Sequence, residues 1–517
     1  MSNLGDNSAQ LYASNPLVSP LWEKTQQTPN DIALRFITGT TPDDVDEWTW
    51  AEFLHGISTA QADLRAAGIT AGDRVMMILP SSADYLLTFW ALITIGAQPV
   101  SVPVTPEAPL AAGIPTLRHI AANCGPAALL TTPAKQQELV THQQSDTTLL
   151  PGLTVLTPHY QRSTHPHLPA SLDDLAPHPV GPDTVVYVQY SSGSTGKPKG
   201  VLDTYRCILW QLDVMRITWN SDTPPVSISW LPLHHDMGIV WGIFDILCLG
   251  GCAGYIPTAL FAKNPTIWVN AMSTYKCGMT AAPDTMWRTI CGLYQDPARR
   301  AGLDFSSLRL AVDGSEPVNT TTQPLLAATF GECGWTSTTL TPMYGLAEGG
   351  LAMSGHPGPR EAVCVHFDAP TAARGQIVPA DLNPNDPAQR TLYSVGDNFF
   401  GGDMRIVDPD TCQVLDDCQV GEVWFRGDVA AGYLGNDALT ETTFNGRTAD
   451  GDGPYLRTGD YGFLCDGNLY ISGRLSNTII VGGENYFPSD IEELVATANL
   501  GFTTAQCCAT QPDIDGP

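Results

Sequence analysis

The chain has 517 residues, 43% of them hydrophobic and 15% charged, with 25 basic against 53 acidic side chains and a formal net charge of -28. That length calls for two or more folded units, and the composition is globular rather than disordered. So negative a surface repels phosphate backbones and anionic lipid, which excludes nucleic-acid partners and membrane-surface roles from the expected functions.

Residues 1–16 are polar, with neither a basic n-region nor an apolar run, so no secretory signal is read there and the cytoplasm is the expected location. Trp48 to Ala67 is predicted as an amphipathic helix, because Trp50, Phe53, Leu54, Ile57, Ala60 and Leu64 recur at helical spacing. Arg74 to Leu79 reads as a short buried strand, and Ser82 opens an apolar helix to Ala97. The core of that helix, from Tyr85, is too short to span a bilayer, so no stable membrane insertion is expected. Pro99 to Val102 is a further strand, ending in a Pro-rich loop from Pro103 to Pro115. Strand, helix and strand at these lengths make a βαβ unit and predict a mostly parallel sheet.

Further strands are predicted at Ala127–Thr131, Thr184–Tyr190, Ser227–Leu231 and Leu308–Val312. From about 403 to 474 the pattern changes to short strands broken by Gly and Asp, at Met404–Val407, Gly421–Arg426 and Asn468–Ser472, which predicts a smaller β-rich subdomain. The fold class is thus α/β: a large N-terminal domain of mostly parallel sheets with helices, plus that subdomain. His159, His165 and His167 fall in a polar loop and are read as solvated rather than as a metal site. The 13 cysteines are odd in number and irregularly spaced, and are expected to be free thiols, mostly buried, in a reducing compartment.

Chemistry concentrates in Tyr187-Val-Gln-Tyr-Ser-Ser-Gly-Ser-Thr-Gly-Lys-Pro-Lys-Gly-Val201. A buried strand runs into a loop holding Gly193, Gly196 and Gly200, the hydroxyls of Ser191, Ser192, Ser194 and Thr195, and the lysines Lys197 and Lys199. Small residues let backbone N–H groups approach phosphate oxygens, and the lysines neutralise charge. The spacing differs from that of the common NTPase phosphate loop.

This segment resembles the signature of the adenylate-forming enzymes: acyl-CoA synthetases, peptide-synthetase adenylation domains, luciferases and fatty acyl-AMP ligases. Tyr344-Gly-Leu-Ala-Glu348, Gly421-Glu-Val-Trp-Phe-Arg-Gly427 with Gly432-Tyr433, Tyr455-Leu-Arg-Thr-Gly-Asp460 and Gly473-Arg474 resemble further family segments, in the same order. Trp230-Leu-Pro-Leu-His-His-Asp-Met-Gly238, Asp313-Gly-Ser-Glu-Pro317 and Arg405-Ile-Val-Asp-Pro-Asp410 are most similar to fatty acyl-AMP ligases. The long Pro/Ala-rich stretch at about 356–390, without clear periodicity, suits the insertion of that branch.

The resemblance implies ATP-dependent activation of a fatty or related carboxylic acid to an acyl-adenylate, with Mg2+ as the metal and an acyl carrier protein as acceptor. Lipid, polyketide or peptide synthesis is the implied setting. An acyl-CoA ligase is the first alternative, and an ATP- or acyl-binding pseudo-enzyme the second. By the same resemblance His235, Lys197 and Glu348 are candidate catalytic groups, and Glu348 and Ser194 candidate metal ligands. Nucleotide binding is assigned to Ser192, Gly193, Ser194, Thr195, Gly196, Lys197, Lys199, Asp313, Gly314, Ser315, Tyr344, Gly345, Asp460 and Arg474. Departures from the pattern are Ser476 after the hinge, Gly482-Gly-Glu-Asn485, which looks more like CoA ligases, Asp313 where the branch has Asn, and Gly349-Gly350, read as loosening the acyl site. The family domain is expected over 1–474 and the beginning of a C-terminal lid over 475–517, incomplete, since no lysine follows Lys276.

Overall fold

The structure, a computed structural model, describes residues 12, 14–191, 197–383, 389–397, 401–481, 484–486, 488, 491, 495 and 509–510. Two open sheets form the larger part. One has six strands in the order Thr154–Leu156, Ala128–Thr131, Arg74–Ile78, Gln98–Ser101, Val185–Ser191 and Lys199–Thr204, all parallel until the last, which returns antiparallel. The other has seven, in the order Leu340–Pro342, Leu310–Asp313, Met279–Ala282, Val226–Ser229, Cys252–Tyr255, Ile32–Ile37 and Val45–Thr49, antiparallel only at the last pair. Interior strands such as Arg74–Ile78, Ala128–Thr131 and Met279–Ala282 are buried nearly throughout because both faces are covered.

The helices between the sheets are set by local signals. Trp50–Ala66 begins two residues later than its periodicity predicts, because Thr49 stays extended and caps it. The Thr49 hydroxyl accepts from Glu52 N at 3.2 Å while the Glu52 carboxylate accepts from Thr49 N at 2.8 Å. Trp48 therefore belongs to the preceding strand. Ala83–Ile95 starts on Ser82 as N-cap and stops at Gly96, whose φ of 82° suits glycine. Every side chain from Tyr85 to Ile95 is buried, and all but Thr88 and Thr94 join one apolar cluster that also takes in Leu34, Phe36 and Tyr255 of one sheet and Val75, Met77 and Tyr187 of the other.

The expected loop from Pro103 to Pro115 is half helix: Leu110–Cys124 forms across Pro115. Pro115 removes one helical donor, but Leu110, Leu117, Ile120 and Cys124 bury at helical spacing. Glu138 of the next helix accepts from Leu110 N at 2.7 Å.

The β-rich subdomain is a four-stranded antiparallel sheet in the order Asp403–Val407, Gly421–Arg426, Leu456–Cys465 and Asn468–Arg474. Its core includes Val423, Phe425, Leu456 and Leu469, continuous with Val201, Tyr344 and Ala347 of the larger part. The supposed insertion is more regular than its composition suggests. Cys364–Asp368 and Gln389–Tyr393 pair antiparallel, and Val365 and Phe367 pack against Phe463 and Tyr470. Residues 384–388 lie outside the described residues.

The expectation of free thiols fails for one pair, since Cys418 and Cys465 form a disulfide 47 residues apart in sequence. The amide of Cys418 donates to the Leu464 carbonyl at 2.6 Å and brings the two side chains together. Six of the nine free cysteines described are buried, as expected. Among the described residues no helix is long and apolar enough to cross a membrane.

Candidate functional site

The strand Val185–Ser191 pairs with Lys199–Thr204, Ser191 opposite Lys199 and Tyr190 opposite Gly200. A Cβ at Gly200 would come within 3.0 Å of the Tyr190 ring, so this glycine allows the two strands to close. Ser192, Gly193, Ser194, Thr195 and Gly196 lie outside the described residues; Lys197 follows them, exposed. Lys199 Nζ stands 5.3 Å from the centre of the Tyr433 ring.

Glu348 sits half-buried in the turn Ala347–Gly349. Its Oε1 accepts from Tyr433 OH at 2.6 Å, and its carbonyl accepts from Ala430 N at 3.1 Å. Gly349 and Gly350 stand in close packing rather than beside open space. A Cβ on Gly350 would overlap Cys207 Sγ, one on Gly349 would come within 2.6 Å of Met353 Sδ, and Gln211 donates to the Gly349 carbonyl at 3.0 Å. These glycines are where the turn packs hard on the helix Tyr205–Trp219.

Asp460 and Arg474 face each other across adjacent strands, Arg474 Nε 3.2 Å from Asp460 Oδ1, and Tyr344 OH donates to Asp460 Oδ2 at 2.8 Å. Burial pushes the Asp460 carboxyl above its ordinary range, while Arg474 and the Tyr344 hydrogen bond pull it back down. Tyr344, Gly345, Asp460 and Arg474 border a cavity of about 380 Å³, together with Ser315 and Tyr393. Tyr393 ends the strand Gln389–Tyr393, just past the stretch read as an insertion, and no local pattern announced it.

A second, smaller cavity of about 50 Å³ is lined by Met215, Asp236, Met237, Trp241 and Gly314 among others. Both cavities share Ser315, Met343, Tyr344 and Gly345, so they meet along one wall. At that wall Ser315 holds a left-handed backbone, φ 72°, which is costly for a residue with a side chain, and its hydroxyl lies 2.8 Å from Met237 Sδ.

His235 is half-exposed, and it is its neighbours Asp236 and Met237 that line the smaller cavity. Its Nδ1 lies 2.5 Å from Asp236 Oδ1. The Asp236 carboxylate raises the His235 imidazole against the pull of burial. Burial works to raise Asp236, but the His235 charge and hydrogen bond, with the Met237 N–H, hold it below the usual carboxylate range. His234 is pushed down to about 4 by burial and by His235. The arrangement can present an ion pair at the mouth of the apolar cavity.

The carboxyl of Asp313 does not reach either cavity. It is fully buried at the end of a strand, and neither oxygen meets a donor. Neighbouring Asp284 is held as an acceptor by Asn319 N, the Thr322 hydroxyl and Arg288 Nε at 3.0, 2.6 and 2.8 Å, which leaves room for one more donor. Burial, then the Asp284 charge, hold Asp313 well above the ordinary range, so it keeps a proton that it can share with Asp284. The folded chain therefore binds a proton that the unfolded chain loses above about pH 4, and stability falls as pH rises from there. Asp313→Asn cannot titrate, so it is expected to raise the thermal midpoint, hardly at pH 4 and clearly at pH 8. A pH-independent effect in parallel unfolding scans would rule out this titration.

The sequence pattern of the AMP-binding enzymes matches residues 21–434. A putative fatty-acid–CoA ligase of Mycobacterium leprae is 30% identical over 516 residues, 95% of this chain and 84% of that one. A medium-chain-fatty-acid–acyl-carrier-protein ligase of Moorena producens is 29% identical over 456 residues, 87% of this chain and 75% of that one. The crystal structure of a fatty acyl-adenylate ligase from L. pneumophila, in complex with acyl adenylate and pyrophosphate, superposes with a TM-score of 0.78 at 25% identity, over 96% of this chain and 83% of that one. With four-fifths of its length matched and both sheets and the β-rich subdomain in place, the chain belongs to the AMP-binding enzyme family, the adenylate-forming ligases.

Proposed function

We propose that the chain joins a fatty or related carboxylic acid to AMP and passes the acyl group to the phosphopantetheine thiol of an acyl carrier protein. A carboxylate oxygen attacks the α-phosphorus of ATP, a mixed anhydride forms and pyrophosphate leaves. The reacting groups are all anionic, so positioning and charge neutralisation are the main tasks. The observation that carries the reading is the meeting of a large cavity that holds Asp460 and Arg474 with a smaller, mainly apolar one at Ser315, Tyr344 and Gly345. ATP would take the large cavity, its ribose on Asp460, its base near Tyr344 and its phosphates toward Lys199. The acyl chain fits the small cavity, with its carboxylate toward His235 and Asp236.

Glu348 has one oxygen engaged by Tyr433 and its other without a partner among the described residues, and with Ser194 would hold Mg2+, an oxygen-preferring cation that neutralises phosphate charge. Pyrophosphate release over a graded panel of acids tests the reading, and acid-independent release would end it. An acyl-CoA ligase is the second reading, favoured by the name of the M. leprae relative as the Moorena one favours the carrier protein. Offering CoA and a holo carrier protein in separate reactions, and asking which becomes acylated, decides between them.

Trp241, 2% exposed, lines the small cavity beside Met215 and Met237, whose flexible thioethers adapt to what enters. Trp241→Leu is expected to move the preference toward longer acids. Each newly buried methylene is worth about 0.8 kcal/mol, so two give roughly tenfold in relative use. The ratio of kcat/KM for two acids differing by two carbons checks this, and an unchanged ratio would take Trp241 out of the acyl site.

A further inference from the structure

The segment Ala430–Leu434 comes from the β-rich subdomain, yet its bonds run to the two halves of the nucleotide site. Ala431 N donates to the Leu202 carbonyl at 2.8 Å, Leu202 N to the Gly432 carbonyl at 3.0 Å and Leu434 N to the Gly200 carbonyl at 2.8 Å. It is thus stitched to the strand by which the chain leaves the phosphate loop. Ala430 N reaches the other way, to the Glu348 carbonyl. Tyr433, 5% exposed, repeats the link with its side chain: its hydroxyl donates to Glu348 Oε1 at 2.6 Å, and Lys199 Nζ sits over its ring. The ring is itself fixed by edge contact with Phe444 and by the bond from its own amide to Thr440 Oγ1 at 2.9 Å.

We propose that Tyr433 is a positioning residue: it aims the Glu348 carboxylate at the divalent cation and holds Lys199 beside it, so that cation and phosphate charge meet at a fixed place. The inference rests on the reading of Glu348 as a metal-holding carboxylate. A carboxylate in a short turn can rotate about its terminal torsion. A hydroxyl donating to one oxygen removes that freedom and leaves the second oxygen to face the metal. The ring does separate work, since a cation over an aromatic face is attracted by its quadrupole. Tyr433→Phe deletes the first function and keeps the second.

The test uses the whole chain, Mn2+ as the probe metal and an ATP analogue with a methylene bridge between the α- and β-phosphorus, which cannot be cleaved there. Mn2+ affinity is read by electron paramagnetic resonance of the free ion, and metal-free analogue affinity by calorimetry. Tyr433→Phe is expected to weaken Mn2+ about tenfold or more, while metal-free analogue affinity stays within about twofold. In a Glu348→Gln background the same change should add nothing, because the hydroxyl acts through that carboxylate; a merely structural tyrosine would add its full effect there. The inference is overturned if Tyr433→Phe leaves Mn2+ affinity unchanged while Glu348→Gln lowers it, or if the two losses add. Should Glu348→Gln itself leave Mn2+ affinity unchanged, the metal reading of Glu348 falls and this inference with it.

Discussion

Asp460→Ala is expected to lower the affinity for ATP about a hundredfold while leaving the chain folded. The carboxylate is well placed for a ribose: it is 6% exposed, borders the larger cavity, and is held from both sides by Tyr344 OH and Arg474. A hydrogen bond to a charged group contributes about 1.5–3 kcal/mol, and two ribose hydroxyls can each donate to this acceptor. Allowing for what water gives back, a net loss of about 3 kcal/mol corresponds to two powers of ten. Alanine also leaves the buried Tyr344 hydroxyl without its acceptor, so some of the loss is reorganisation of the empty site. Asp460→Asn keeps an acceptor oxygen but gives up the charge that pairs with Arg474, and should fall between wild type and alanine. Calorimetry with a non-cleavable ATP analogue measures both, with thermal unfolding as the control for folding. Equal affinity in all three proteins would remove Asp460 from the nucleotide site.

That residue also shows where a sequence can and cannot be read. Thr458-Gly459-Asp460 has the composition of a turn, and turn chemistry is what local reading detects. The structure makes it the interior of a ten-residue strand, Leu456–Cys465, with the register slipping between Tyr461 and Gly462 on one side and between Glu422 and Trp424 on the other. Irregular pairing with both neighbours accommodates the glycines, and nothing within the segment could announce those neighbours. The βαβ unit around Ala83–Ile95 was legible because its signals are local: an apolar run, a capping Ser82 and a stopping Gly96. The pairing of Glu348 with Tyr433, 85 residues apart, and of Cys418 with Cys465 depends on tertiary approach alone. Asp313 shows the opposite limit: the resemblance of Asp313-Gly-Ser-Glu-Pro317 assigns it to the nucleotide together with Gly314 and Ser315, and those two do line a cavity, but as the last residue of its strand Asp313 turns its side chain into the core.

Glu348→Gln is expected to slow pyrophosphate release by about 10²–10³, the usual loss when one preorganised charge-stabilising group is removed. The substitution changes little in shape. Glutamine keeps an oxygen that can accept from Tyr433, so the bond holding the turn at 2.6 Å has a counterpart in the variant. What disappears is one negative charge that, on the proposed reading, faces the phosphates and by itself would repel them. If Glu348 acted on nucleotide directly, losing that charge should therefore tighten binding. If it acts through a cation, the cation becomes weakly held and the phosphates lose the neutralisation it brings. The two cases part on metal dependence: the second predicts that raising Mg2+ concentration recovers much of the lost rate in Glu348→Gln, with metal-free nucleotide affinity equal to or above that of wild type. Steady-state pyrophosphate release at several Mg2+ concentrations, beside calorimetry in a chelator, reads both quantities on one preparation. A rate defect that no Mg2+ concentration relieves would place the role of Glu348 in supporting the turn, through the charge-assisted bond its carboxylate accepts from Tyr433 OH, rather than in holding a cation.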